Sequence, residues 1–198
     1  MLDYKDIFGG SAVVIAYIGY ALYFRDLLKG TTKPHAFSWL IWGILTGIGF
    51  AAQLVEHGGP GAWVTGADAF ACGIICIYAL KKGDRHFVRF DWISLIGAFV
   101  ALLLWWFTHD PTFSVVLITI IDIFGYLPTF RKGFHRPYEE TATTYACSSL
   151  KFWIALMALQ TFSLATWLYP LYLAIANGIF TSMLLIRRRQ FRLPKTDN

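Results

Sequence analysis

Asp68, Asp122, Lys151 and Asn177 each stand inside a run of apolar residues, where a charge or an amide needs a partner or a purpose. Two carboxylates against one ammonium leave a negative excess unless one acid holds a proton, which points to cation or proton handling. Their neighbours are spaced to share helix faces. Ser114, Ile118 and Asp122 recur every four residues with Gly125 beside them, and Thr141, Thr144, Ser148 and Lys151 form a polar stripe at three- and four-residue spacing. Ser38, Trp42, Thr46, Gly49 and Gln53 make a third stripe, with Trp39 adjacent. Aromatic rings next to hydrogen-bonding groups suit a flat or ring-shaped ligand such as a sugar, nucleoside or vitamin.

Covalent and metal chemistry find no such support. There is no HExxH, no P-loop, no Gly-Asp pair of an intramembrane protease and no paired CxxC. Cys72 and Cys76 lie one helical turn apart, with Cys147 distant, and read as small packing residues. Asp68 and Asp122 as a catalytic dyad have nothing in their flanks to recommend them. A retinal-type lysine is missing from the last apolar run. No catalytic residue, metal or cofactor is therefore expected, and the chain does not read as an enzyme.

The elements that carry these residues are long and apolar. Of 198 residues 57% are hydrophobic, 18% aromatic and only 15% charged, and the mean hydropathy is +0.53. Soluble domains carry about 25% charged residues. Seven runs approach the roughly 20 residues that cross a bilayer: Ile7–Phe24, Ala36–Val55, Ala62–Leu80, Trp92–Phe107, Phe113–Phe130, Thr141–Leu159 and Trp167–Ile186. The fourth is short and the sixth carries Lys151. Turn-forming stretches such as GTTKP, EHGGPG and GFHRP separate them. The opening MLDYKDIFGG has one lysine against two aspartates, and no small-residue cleavage site follows it, so the first run is expected to remain as a helix. The fold expected is an all-α membrane protein of seven transmembrane helices.

Basic residues set the expected orientation. The connectors after runs one, three and five and the C-terminal tail hold 15 of the 17 Lys and Arg, leaving Lys5 on the other side and Lys151 within a run. That alternation places the N-terminus outside and the C-terminus in the cytoplasm, in a cell membrane, with a bacterial inner membrane the expected compartment. It also accounts for the net charge of +5 without nucleic acid. Lipid and a small-molecule solute are the expected partners, and self-association is left open.

An internal repeat organises the chain. Gly19-Tyr20-Ala21-Leu22-Tyr23-Phe24-Arg25 matches Gly125-Tyr126-Leu127-Pro128-Thr129-Phe130-Arg131 as GYxxxFR at an offset of 106, and Pro34 and Pro137 follow at an offset of 103. Gly66-Ala67-Asp68 aligns with Ile175-Ala176-Asn177. Three helices therefore repeat across a single fourth, giving two parallel three-helix bundles: residues 1–82, a linker helix in 83–108, and 109–198 with its basic tail. Parallel repeats of this kind occur in transporters, with the substrate site between the halves.

This 3+1+3 plan, with the repeated GYxxP/FR exit, resembles the SWEET and PQ-loop transporter superfamily, which includes PnuC-type vitamin carriers. Gly125-Tyr126-Leu127-Pro128-Thr129 is similar to the PQ-loop motif, with Thr129 where Gln is usual. The stretch KPHAFSWLIWGILTGIGFAAQ is similar to bacterial membrane proteins of no assigned activity. The resemblance implies that Asp68 and Asn177 face a central solute from opposite halves, that Asp122 is a proton-coupling site, and that Pro128, with Gly125, is a hinge. Trp42, Gln53, Ser148 and Lys151 complete the expected wall. Structural alternatives stand beside these: an Asp68–Asn177 hydrogen bond pinning the halves, an Asp122–Lys151 ion pair, or Lys151 snorkelling outward or merely neutralising Asp68 or Asp122. Trp39, Trp63, Trp92 and Trp167 are expected as interface anchors, and Tyr17, Tyr20 and Phe24 as packing. The expected activity is carriage of a small polar solute by alternating access. A ligand-sensing receptor or a scaffold subunit is the alternative.

Overall fold

The computed structural model describes residues 3–32, 34, 36–83, 89–108 and 110–191, with the backbone alone at Phe90, Asp91, Ser94, Ala98, Leu102, Trp105 and Pro128. Among the described residues seven α-helices follow one another: α1 Tyr4–Leu28, α2 Ala36–Val55, α3 Trp63–Lys82, α4 Arg89–Thr108, α5 Pro111–His135, α6 Ala142–Met157 and α7 Leu164–Gln190. Short 3-10 turns at Gly59–Ala62 and Pro137–Glu139 lead into α3 and α6. Among the described residues there is no strand. Five helices, α1, α2, α3 with its leading turn, α5 and α7, are long and apolar enough to cross a membrane. The two left out are those flagged by sequence: α4, whose apolar part is short, and α6, of 16 residues with Lys151 inside.

Local chemistry sets the helix ends. The Asp6 carboxylate accepts the Asp3 backbone N–H (3.1 Å) at the start of α1, and the Asp110 side chain accepts Thr112 N–H (2.8 Å) just before Pro111 opens α5. At α7, the Thr166 hydroxyl accepts Ser163 N–H (2.9 Å). Both α1 and α5 run past the apolar segments read from sequence, to Leu28 and His135, because hydropathy stops at the first charge whereas the backbone ladder continues through Arg25 and Lys132.

The helix packing has a two-fold pattern. α3 lies between α1 and α2, and α7 between α5 and α6. Across the halves α1 packs on α6 and α2 on α5, while α3 touches α6 and α2 touches α7. Exchanging the first three helices for the last three maps each of these pairs onto another. Direction follows from named contacts. Gly9 abuts Pro60 just ahead of α3, and Gly19 abuts Cys147 while Asp26 meets Thr141, so α1 runs with α3 and against α6. Asp122 meets Tyr169 and Tyr126 meets Asn177, so α5 runs with α7. The fourth helix stands outside the repeat, against α5 and α2. Its outward face is apolar, with Phe107 76% exposed and Trp92, Ile96, Phe99, Leu103 and Trp106 also exposed. An apolar outer surface of this extent is compatible with a membrane protein.

Candidate functional site

The polar stripe of α6 faces the first half of the molecule. Thr141 shares a hydroxyl contact with Thr32 (3.0 Å) and donates to the Asp26 carboxylate (3.0 Å). One turn on, Thr144 donates to the Gly19 carbonyl of α1 (3.1 Å). Two turns deeper, the Lys151 ammonium pairs with the Asp68 carboxylate of α3, with its Nζ 4.8 Å from the centre of the Tyr20 ring. Lys151 is 1% exposed. A buried pair of this kind is held by its mutual attraction, and either ion alone would be costly there.

The stripe of α2 faces the second half. Trp42 donates its indole N–H to Asp122 Oδ1 (3.0 Å), and the Tyr169 hydroxyl donates to Asp122 Oδ2 (3.2 Å). Among the described residues no cation pairs with Asp122, which is fully buried. Its face was legible in the four-residue spacing: Ser114, Ile118 and Asp122 are all buried, and Ser114 donates to the Ala101 carbonyl of α4 (3.0 Å). Asn177 is held by Tyr126, whose hydroxyl donates to Oδ1 (3.0 Å), and by its own amide, which donates to the Leu173 carbonyl (2.7 Å).

Asp68 on one side and Asp122 and Asn177 on the other meet at one narrow cavity of about 60 Å³. Asp68, Asp122, Asn177, Trp42 and Ser148 all reach it, and among the described residues every helix except α4 contributes to its wall. The wall is strongly aromatic: Tyr23 and Trp39 lie 5.0 Å apart between ring centres, Trp39 and Trp42 5.3 Å, and Trp42 and Tyr126 5.8 Å. Its volume admits a few waters. Drug-sized ligands occupy pockets of about 300–1,000 Å³, so the cavity as it stands is too small for one. Both ends are bridged between halves. At the basic end stand the Thr32, Asp26 and Thr141 contacts. At the other, Gly61 N–H donates to the Ala158 carbonyl (3.1 Å) and Gln160 N–H to the Gly58 carbonyl (3.0 Å).

Several expected wall residues sit elsewhere. Gln53 lies outside the cavity lining; its Nε2 donates to the Thr166 carbonyl (2.9 Å). Pro170, buried within α7, has no N–H to offer that carbonyl four residues before it, so Gln53 of α2 supplies the missing donor. Lys151 lies just beyond the lining, behind Asp68. The Asp68–Lys151 pair is one of the structural alternatives; Asp122–Lys151 is not formed, and Asp68 and Asn177 have different partners. Gly125 is half-buried in α5, and Pro128 falls in the same helical run with its side chain outside the described residues. Trp39 is not an exposed anchor: it is 7% exposed and walls the cavity, because α1 brings Tyr23 over it. Tyr20 likewise reaches the cavity instead of serving only as packing. Trp63 and Trp92 are exposed, as belt residues would be. Tyr169 is the main wall residue that sequence reading did not select; its spacing of eight residues from Asn177 on α7 was the available signal.

Among the described residues no three His, Cys, Asp or Glu converge as metal ligands. The chain matches no family model, no curated protein and no solved structure.

Proposed function

We propose that the protein is a small integral membrane carrier that moves a small polar solute, cationic or proton-coupled, by alternating access through the cavity between its two halves. In this reading all seven helices cross the membrane, as two parallel three-helix bundles joined by α4, with the basic end in the cytoplasm, in the manner of SWEET and PQ-loop carriers. One observation carries it. Asp122 lines a cavity built by six helices of a two-fold repeat, and no described cation offsets its charge, whereas the neighbouring Asp68 has Lys151. A carboxyl so placed takes up a proton or a cation as the cavity changes sides. Trp42 and Tyr169 orient it, and the aromatic wall gives a cation rings to lie against. The small cavity, bridged at both ends, corresponds to a state between openings.

The test is a thermal-shift screen of the purified chain with organic cations, sugars, nucleosides, B vitamins and amino acids at two pH values, followed by flux in proteoliposomes. A ligand at 100 times its Kd stabilises by about 2.7 kcal/mol. The expected hit is lost in Asp122→Asn, with flux reduced at least tenfold. A ligand bound and carried equally well by Asp122→Asn would overturn the assignment. A blank screen with folded protein would favour a scaffold role.

A further inference from the structure

A second, larger recess lies on the outer face of the bundle. It measures about 740 Å³ and runs between α6 and α7, walled by Trp153, Ile175, Ile179 and Met183 and closed at its basic end by Phe134 of α5 and Arg187 of α7. Among the described residues none lines both this recess and the central cavity. We propose that this groove is a binding site for an anionic phospholipid, one acyl chain lying along α7 and the headgroup phosphate on Arg187.

Length, composition and charge all fit that occupant. From Ala174 to Arg187 the helix rises about 20 Å at roughly 1.5 Å per residue. Half of the hydrocarbon core is about 15 Å deep, so the groove runs from near mid-membrane to headgroup level. Its inner stretch is apolar, and Ser149 and Ser182 there spend their hydroxyls on the Ala174 and Gly178 carbonyls (2.8 and 2.9 Å). Gly178 keeps the floor low: a Cβ there would meet the Ser149 hydroxyl at 3.0 Å. At the polar end the Arg187 guanidinium lies 4.0 Å from the Phe134 ring centre, with Nε donating to the Phe134 carbonyl (3.0 Å) and Nη1 to Gln190 (2.6 Å). Those contacts commit two of its five N–H donors and fix the plane of the fork. Among the described residues no carboxylate pairs with it. A held, unneutralised guanidinium at headgroup depth is a phosphate donor, and basic recesses at that level select anionic lipid.

The experiment uses the full chain in detergent, supplied with phosphatidylglycerol or phosphatidylcholine of identical acyl chains, with bound lipid counted by native mass spectrometry. Phosphatidylglycerol should be retained about fivefold better, the share expected of one basic residue near the surface. Arg187→Gln should erase that preference, and Arg187→Lys, which keeps the charge but loses the fixed fork, should retain only part of it. Acyl-brominated phosphatidylglycerol should quench tryptophan emission in the wild type more than in Trp153→Phe, and Ser182→Phe, which fills the groove without touching the charge, should abolish that difference. Equal retention of the two lipids, a preference untouched by Arg187→Gln, or a lipid-free dimer sealed along this face would each overturn the proposal.

Discussion

Asp68 and Lys151 make the sharpest test of what a single buried charge does here. With Lys151 1% exposed and its ammonium on the Asp68 carboxylate, Asp68→Asn leaves an unneutralised ammonium in the interior. Breaking such a pair from one side destabilises by roughly 3–5 kcal/mol, whereas replacing both ions with apolar or neutral groups is close to neutral. The expected outcome is a marked fall in the denaturation midpoint of Asp68→Asn in detergent, largely restored in Asp68→Asn with Lys151→Met. If the double variant is as unstable as the single one, the pair is not what makes Asp68 matter. If it folds well yet carries no solute, Asp68 serves the cavity as well as the pair. At this scale the sequence showed which residues were out of place but not who answers them. Counting two acids and one lysine exposed the imbalance; choosing between Asp68 and Asp122 as the partner needs the distance between helices. The aromatic partners were harder still, because Tyr20, Tyr23 and Trp39 have the composition of packing or interface residues, and only the packing of α1 and α2 on either side of α3 brings Tyr23 to Trp39 at the cavity.

Pairs of helices are tied together where one of them has lost part of its own backbone pattern. Pro170 cannot donate to the Thr166 carbonyl, and Gln53 of α2 donates instead at 2.9 Å. Gly61, at the head of α3, comes so close to α6 that a Cβ would stand 2.7 Å from the Ala155 carbonyl. These contacts fasten α2 and the start of α3 to α6 and α7 at the end remote from the basic cluster. Gln53→Leu should therefore leave a buried carbonyl without a donor, a cost of about 1–3 kcal/mol, with loss of thermal stability and no change in which solutes bind. A loss of solute binding at unchanged stability would return Gln53 to the cavity wall. The stripe Ser38, Trp42, Thr46, Gly49 and Gln53 was legible as one face of α2, and that face does meet α5 and α7: Trp42 reaches Asp122, and Gly49 lies under Tyr169. A stripe, however, spans several depths. Its middle walls the cavity and its end makes a clasp, and helical periodicity carries no information about which depth is hollow.

Across the whole molecule, the helix packing follows a two-fold pattern. α3 and α7 each sit in the middle of a triad, and α1 on α6 mirrors α5 on α2. Two halves related in this way can rock only by breaking bonds at one end while keeping them at the other, and the two ends are not alike. The remote end is joined by backbone N–H bonds from Gly61 and Gln160. The basic end is joined by side-chain hydroxyls: Thr32 to Thr141 at 3.0 Å, and Thr141 to Asp26 at 3.0 Å. The hydroxyl contacts part by rotation of a side chain, whereas the backbone bonds part only if the Gly58–Gly61 turn itself moves, so the basic end is the easier of the two to part. Joining it covalently should stop a carrier and leave a receptor or scaffold able to bind. With Cys72, Cys76 and Cys147 replaced by Ala, the pair Thr32→Cys and Thr141→Cys should form a disulfide on mild oxidation. Solute flux should then fall to background and return on reduction, with each single cysteine variant unaffected by the oxidant. Flux that continues through the cross-linked protein would mean that the halves do not part at the basic end, and the cavity would then have to open through the Gly61 and Gln160 contacts alone.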